Sequence, residues 1–114
     1  MLKGQAPFIF GDGQQTRDLV YVQDVARANL LALTRGNNEL YNVGTGKETT
    51  IIELLAFIQK IMGKSDSPRF VAARPGDIRR SVFSIDKIKR DLGWEPSISL
   101  ERGLLSTIES LRGK

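Results

Sequence analysis

The sequence contains no cysteine and no histidine. Disulfides, thiolate nucleophiles and zinc sites of the Cys/His type are therefore excluded, and so is the commonest general base of enzymes. No apolar run approaches the length of a membrane span, and residues 1–7 have no stretch resembling a signal peptide. Because a chain without cysteine is compatible with the cytoplasm, we expect a cytoplasmic protein without a membrane partner.

A concentrated positive surface is also missing. The chain carries 17 Lys+Arg against 13 Asp+Glu, for a net charge of +4. These basic residues are spread along the sequence, and the aromatic residues, 7% of the chain, do not alternate with them. Non-specific nucleic-acid binding requires a basic patch or stripe. We therefore predict that nucleic acid is not a partner.

The length of 114 residues, with 40% hydrophobic residues, suits one core and one domain. Periodicity and turn residues predict about four helices and four or five short strands, an α/β pattern. The expected strands cover residues 7–10, 19–22, 40–43, 69–72 and 78–83; the expected helices cover 25–34, 51–62 and 88–92, with a last one from near Ser99. The apolar faces of these elements are more than a few short strands can cover. We therefore expect the chain to be a piece of something larger or an oligomer.

Helix ends carry the clearest local signals. Thr50 and Glu53 have the spacing of a capping box, and Gly63 suits the end of that helix. Asp24 is the expected N-cap of the first helix, which residues 36–38 should end. Ser84 or Asp86 is expected to cap the third helix, and four aromatic residues are expected in the core: Phe57, Phe70, Phe83 and Trp94.

Most familiar catalytic motifs do not fit. The Gly44–Lys47 stretch lacks Walker spacing, with Glu48 where a hydroxyl should stand, so it predicts a strand-to-helix turn with at most a weak anion site. Neither Tyr21 nor Tyr41 has a lysine four residues later. The acids at positions 12, 18, 24 and 77 suit turns and caps rather than a catalytic pair. We predict no catalytic residue and no metal site.

Two arginines remain as candidate ligand-binding residues. Arg17 follows the turn Gly11-Asp12-Gly13, whose glycines suit a backbone with positive φ, and Arg74 opens an Arg-Pro-Gly-Asp bend that places Asp77 on the same side. A guanidinium donates paired hydrogen bonds to a phosphate or a carboxylate. The alternatives are that Arg17 pairs with Asp18 or another local acid, and that the bend is an ordinary turn.

Four segments together resemble a known family: residues 11–26 (GDGQQTRDLVYVQDVA), 41–50 (YNVGTGKETT), 74–81 (RPGDIRRS) and 92–96 (LGWEP). They are similar to the C-terminal part of extended short-chain dehydrogenase/reductases, the NAD-dependent epimerase/dehydratase family. The similarity is greatest to the UDP-glucose and UDP-N-acetylglucosamine 4-epimerases. It implies an α/β fold, the substrate lobe of a Rossmann-like enzyme, over residues 1–114 as a single domain or fragment.

The resemblance also implies roles for particular residues. Arg17 and Arg74 would bind the diphosphate of a nucleotide sugar, with a UDP-sugar as the expected ligand, and Asp77 would bind the ribose. The segment from Phe8 to Phe10 would lie against the base. Residues 40–43 would return to the edge of the dinucleotide-binding sheet.

The family's N-terminal half carries a GxxGxxG turn for NAD and a Tyr-x-x-x-Lys couple, and this sequence contains neither. We therefore expect NAD to be the cofactor of the parent family but not to bind this chain alone, which would be inactive by itself. The expected partner is the missing half or another subunit. The alternatives are part of a nucleotide-sugar dehydratase or decarboxylase, a stand-alone sugar-nucleotide module, and a fragment that folds by self-association.

Overall fold

The computed structural model describes residues 4–35 and 38–113, and within them it contains four helices and four short strands. In chain order the elements are β1 (Phe8–Phe10), β2 (Thr16–Arg17), α1 (Val22–Arg35), β3 (Thr49–Thr50), α2 (Ile51–Met62), β4 (Arg69–Val71), α3 (Asp86–Leu92) and α4 (Leu100–Arg112). The predicted α/β class is confirmed.

The strands form two small ladders. β1 pairs in parallel with β4, Ile9 opposite Phe70, and β2 pairs antiparallel with β3, Thr16 opposite Thr50. Successive side chains of a strand point to opposite faces. In β1, Ile9 is therefore buried whereas Phe8 and Phe10 are exposed.

The ends of α2 and α4 follow local sequence signals, as predicted. The Thr50 side chain accepts a hydrogen bond from the Glu53 backbone N–H at 3.0 Å, and Gly63 ends α2 in the left-handed conformation with φ of 66°. Ser99 accepts from the N–H of Arg102 at the start of α4. Each of these caps satisfies a backbone group that the helix itself leaves unpaired.

Two predicted caps are wrong. α1 begins at Val22, so Asp24 lies within its first turn instead of preceding the helix. α3 is preceded by Ile85, and no side chain caps it, so neither Ser84 nor Asp86 has the expected role. The end of α1 predicted at residues 36–38 falls partly on residues 36 and 37, which lie outside the described residues.

Three predicted strands are also wrong, because strand composition does not supply a pairing partner. Residues 19–21 and 78–83 are irregular, and Val22 is already helical. Residues 40–43 belong to no sheet in the described part of the chain. Tyr41 and Val43 instead pack against the α1–α3 core.

That core consists of Ala28, Ile88, Leu92 and Trp94. The Trp94 side chain is completely buried, and its indole N–H donates to the backbone oxygen of Asp24 at 2.9 Å. The core positions predicted for Phe70 and Phe83 are wrong, since both rings are largely exposed. Within residues 4–35 and 38–113, no helix is long and apolar enough to cross a membrane.

Candidate functional site

A tight turn joins β1 to β2. Gly11 and Gly13 have φ of 75° and 76°, as their spacing around Asp12 predicts. A Cβ at Gly13 would lie 2.6 Å from the side chain of Ile52, so this position also needs the absence of a side chain. The carboxylate of Asp12 accepts from the N–H of Gln14 at 2.9 Å and holds the turn.

Directly after this turn, β2 presents the guanidinium of Arg17. Its Nη1 donates to the carbonyl oxygens of Thr16 at 2.6 Å and Ile78 at 2.7 Å, and its Nη2 donates to Asp77 Oδ1 at 2.7 Å. The predicted alternative of a local partner is wrong, because Asp77 lies 60 residues away in sequence. Arg17 is thus fixed against the segment that carries the second candidate arginine.

That segment is the predicted bend. The N–H of Asp77 donates to the carbonyl oxygen of Arg74 at 3.2 Å, and Gly76 has φ of 77°. The guanidinium of Arg74 stacks over the ring of Phe10, 4.0 Å from its centroid. Among the described residues Arg74 has no ion-pair partner, so its charge faces outward from an aromatic support.

The structure therefore brings four of the five predicted site residues to one place, around the turn at 74–77. Arg17 is paired with Asp77, and Phe10 is stacked by Arg74. Phe8 lies on the same face of β1, but the cation over its ring belongs to Arg69, at 5.4 Å. Around this turn the ring of Phe10, the exposed guanidinium of Arg74 and the half-buried Arg17 form a surface with both flat apolar and cationic parts.

Two further ion pairs, which sequence reasoning missed, hold the loop after this turn. Arg79 binds both carboxylate oxygens of Asp12, at 2.8 and 3.0 Å, and Arg80 binds both of Glu48, at 2.9 and 2.7 Å. The hydrogen bond from Arg79 lowers the pKa of Asp12 from 3.8 to about 2. The hydrogen bond from Arg80, followed by that from Thr16, lowers the pKa of Glu48 from 4.5 to about 2.

Asp18 also makes contacts that sequence reasoning missed. Its carboxylate accepts from the N–H and the hydroxyl of Thr45, at 2.7 and 2.6 Å, and from the N–H groups of Gly46 at 3.0 Å and Phe83 at 3.2 Å. Gly44 must be glycine here, because a Cβ would lie 2.7 Å from Asp18 Oδ2. The weak anion site predicted at this turn is therefore filled by the protein's own carboxylate.

Two cavities among the described residues lie away from this surface. An apolar groove of about 260 Å³ runs between α2 and α4 beside Tyr21, and a more polar cleft of about 470 Å³ lies next to Lys47 and Glu53. Neither is lined by a predicted site residue. Residues 4–35 and 38–113 contain no group of acidic side chains that could hold a metal ion.

Comparison with known proteins places this geometry in a family. The family model described as GDP-mannose 4,6 dehydratase matches residues 1–107. The chain belongs to this family. The resemblance to the epimerase/dehydratase branch of the extended short-chain dehydrogenase/reductases, and the fold class that it implied, are thereby confirmed.

Relatives of this dehydratase-family chain include epimerases. The chain is 41% identical to UDP-glucose 4-epimerase of Mycolicibacterium smegmatis, over all of this chain and 37% of that protein. It matches the crystal structure of UDP-glucose 4-epimerase with UDP-glucose from Thermotoga maritima with a TM-score of 0.96 and 48% identity, covering 99% of this chain and 37% of that one.

A dehydratase structure is also similar to this family member. dTDP-glucose 4,6-dehydratase from Bacillus anthracis in complex with NAD matches with a TM-score of 0.91 and 30% identity, over 99% of this chain and 36% of that one. The chain thus spans little more than a third of the length of its relatives. NAD is the cofactor present in that related structure.

Proposed function

We propose that this chain is the substrate-binding portion of a nucleotide-sugar 4-epimerase of the UDP-glucose type. The observation that carries the proposal is the joining of two cations and an aromatic face by one turn: Arg17 held on Asp77, and Arg74 stacked on Phe10. Likeness to the Thermotoga maritima epimerase, whose structure contains UDP-glucose, supports the choice of ligand.

Each side chain offers the ligand a different interaction. Arg74 has a guanidinium without an ion pair among the described residues and is suited to the diphosphate. Arg17 is already oriented by Thr16, Ile78 and Asp77, so binding a phosphate oxygen costs it little conformational entropy. 

The remaining residues complete the proposed site. Asp77 uses Oδ1 for Arg17 and has a second oxygen for a ribose hydroxyl. Phe8 and Phe10 present exposed rings on one face of β1, on which a base can stack. These roles extend over one nucleotide, from base to diphosphate.

We assign the chemistry of epimerisation to the part of the parent enzyme outside these 114 residues. The glycine turn at residues 44–46 has its Thr45 and Gly46 amides bound to Asp18, so it does not fit the pyrophosphate of NAD. Burial and the neighbouring Asp91 raise the pKa of Tyr41, although Lys87 lies 5.1 Å from its ring. A tyrosine that removes a proton needs the opposite shift.

Calorimetric titration of the chain with UDP-glucose tests the proposal. We expect measurable binding, and a loss of about 1.5–3 kcal/mol, or roughly 10- to 150-fold in affinity, for each of Arg17→Ala and Arg74→Ala, the range for a hydrogen bond to a charged group. Arg102→Ala, on the exposed side of α4, is the matched control and should bind like the wild type.

Two results would contradict the assignment. One is the absence of binding at millimolar UDP-glucose; the other is unchanged affinity in both arginine variants. A competition series with dTDP-glucose and GDP-mannose separates the epimerase proposal from the dehydratase alternative, since tighter binding of either sugar nucleotide than of UDP-glucose favours a dehydratase.

A further inference from the structure

The stretch that carries Arg74 and Asp77 has no buried side chain of its own. It lies between β4 and α3, and its residues 72–80 form neither helix nor strand and are all exposed. A loop is usually fixed on a domain by burial of apolar side chains, and a stretch without such burial opens readily. We call residues 72–80 the 72–80 segment and ask what holds it in place.

Polar contacts with β2 hold the middle and the end of the 72–80 segment. The N–H of Thr16 donates to the carbonyl oxygen of Arg79 at 2.9 Å. The guanidinium of Arg17 donates to the carbonyl oxygen of Ile78 and to Asp77, each at 2.7 Å. The segment therefore follows β2 through hydrogen bonds instead of packing on a core.

Two ion pairs add side-chain contacts at the end of the segment. Arg79 donates to both carboxylate oxygens of Asp12, at 2.8 and 3.0 Å. The next residue, Arg80, donates to both oxygens of Glu48, which also accepts from the hydroxyl of Thr16 at 2.8 Å. A guanidinium that binds a carboxylate through two parallel hydrogen bonds is fixed in orientation as well as in distance.

These ion pairs differ from the Arg17 contacts in how a ligand affects them. A phosphate oxygen bound to Arg17 competes with Asp77 for the same guanidinium, so the contact between those two residues weakens when the ligand arrives. The Asp12–Arg79 pair contains none of the proposed ligand-binding residues and stays intact in the complex. It can therefore hold the segment while Arg17 and Asp77 engage the ligand.

We propose that Asp12 and Arg79 are a positioning pair, with Glu48 and Arg80 as a second support. Together they hold the 72–80 segment so that Arg74 and Asp77 face the same ligand as Arg17. Asp12 acts through Arg79 and not by contact with the ligand. The inference rests on the proposed function for the identity of the ligand, whereas the hold on the segment is measurable without any ligand.

The exposure of the pair indicates what its loss would change. The side chains of Arg79 and Asp12 are 62% and 59% exposed, and ion pairs in that setting add little to global stability. A segment that is correctly placed only part of the time lowers the apparent affinity by that fraction. The expected signature of a positioning pair is therefore weaker binding at nearly unchanged stability.

The central test is calorimetric titration of Asp12→Asn with UDP-glucose. Asparagine keeps an acceptor oxygen for the N–H of Gln14, which now lies 2.9 Å from the Asp12 carboxylate, but it removes the charged pair. We expect about fivefold weaker binding, near the upper end of what an exposed ion pair contributes, with a urea midpoint close to that of the wild type. UDP-glucose is an anion, so removal of a nearby acid that positions nothing would strengthen binding instead.

A matched control and a reversed pair make the test sharper. Glu39→Gln breaks another exposed pair, with Lys87 at 2.8 Å, and should bind UDP-glucose like the wild type. Asp12→Arg places a second cation opposite Arg79 and should weaken binding. The double variant Asp12→Arg/Arg79→Asp restores an opposite-charge pair and should recover affinity relative to Asp12→Arg, although its charge is more negative by two.

Amide hydrogen exchange without ligand reports the position of the segment directly. The N–H of Thr16 donates to Arg79 and that of Ser81 donates to the hydroxyl of Thr16 at 3.2 Å, so both amides should exchange faster in Asp12→Asn and not in Glu39→Gln.

Several outcomes would overturn the proposal. They are unchanged or tighter UDP-glucose binding in Asp12→Asn, no recovery in the reversed pair, unchanged exchange at these two amides, and a loss of affinity that occurs only together with a fall in the urea midpoint. If the wild-type chain itself does not bind UDP-glucose, the proposed function is contradicted. Faster exchange in Asp12→Asn would in that case still support the hold on the 72–80 segment.

Discussion

Replacing Asp24 by alanine should destabilise the chain more than any other removal of a single carboxylate. Its side chain accepts from the N–H groups of Ser97 at 3.1 Å and Ile98 at 3.0 Å and from the hydroxyl of Ser97 at 2.9 Å. It thereby joins the first turn of α1 to the segment that leads into α4.

The charge on Asp24 is maintained by these contacts. Burial is the largest single influence on its pKa and acts to raise it. The hydrogen bonds from Ile98, Ser97 and Arg27 together outweigh burial and hold the pKa below the usual 3.8. At neutral pH the group is therefore an anion whose partners are all donors.

The magnitude follows from the donors left without a partner. Each unsatisfied buried donor costs about 1–3 kcal/mol, and a rotatable hydroxyl can turn to water, so two backbone N–H groups dominate. We expect Asp24→Ala to lower the free energy of unfolding by about 2–4 kcal/mol, a large share of the roughly 5–15 kcal/mol typical of a domain. Asp24→Asn, which keeps one acceptor oxygen, should lose about half as much.

Urea unfolding followed by the fluorescence of Trp94 measures this directly. Trp94 is the only tryptophan, is fully buried and donates to the backbone oxygen of Asp24 itself. Asp66→Ala, an exposed carboxylate in the loop after α2, is the control and should change stability by less than about 0.5 kcal/mol. A loss below about 1 kcal/mol in Asp24→Ala would refute the reasoning, because it would mean that the donors do not depend on this carboxylate.

Two further outcomes are expected. Gly44→Ala should destabilise the chain, because the added Cβ would lie 2.7 Å from Asp18 Oδ2 and 3.0 Å from the ring of Phe83; a urea titration that matches the wild type would contradict this. The pKa of Glu48 is about 2 in the folded chain, against 4.5 ordinarily. The pairing of Glu48 with Arg80 therefore stabilises the folded chain fully above pH 4.5, and this stabilisation is lost as the pH falls toward 2. The urea midpoint should therefore fall less between pH 5 and about pH 2.5 in Glu48→Gln than in the wild type, and equal falls would exclude this linkage.

The elements that sequence predicts well are those whose signals lie within one helical turn. Thr50 and Glu53 are close enough to cap α2 whatever the rest of the chain does, and Gly63 ends it through its own backbone freedom. The strands at 19–22, 40–43 and 78–83 were wrong because a strand exists only where a second segment supplies hydrogen bonds. Composition carries no information on that second segment.

The candidate site shows the same division. Local sequence patterns indicated Arg17, Arg74 and Asp77 as candidate site residues and predicted the positive φ of the two glycines in the first turn. The partner of Arg17 was not predicted, since Asp77 lies 60 positions later, and Asp18 gave no local sign that it binds Thr45, Gly46 and Phe83. The roles of Arg17, Arg74 and Asp77 in ligand binding remain predictions.

By itself, the sequence determined which chemistry this chain can offer: two arginines and an acid in or beside glycine-containing turns, without a thiol or an imidazole. It also determined where α2 begins and ends and where α4 begins. Only the tertiary structure decided which charges meet and which segments they hold together. A capping hydroxyl acts over three residues, whereas ion pairs and burial depend on the path by which distant segments return to one another.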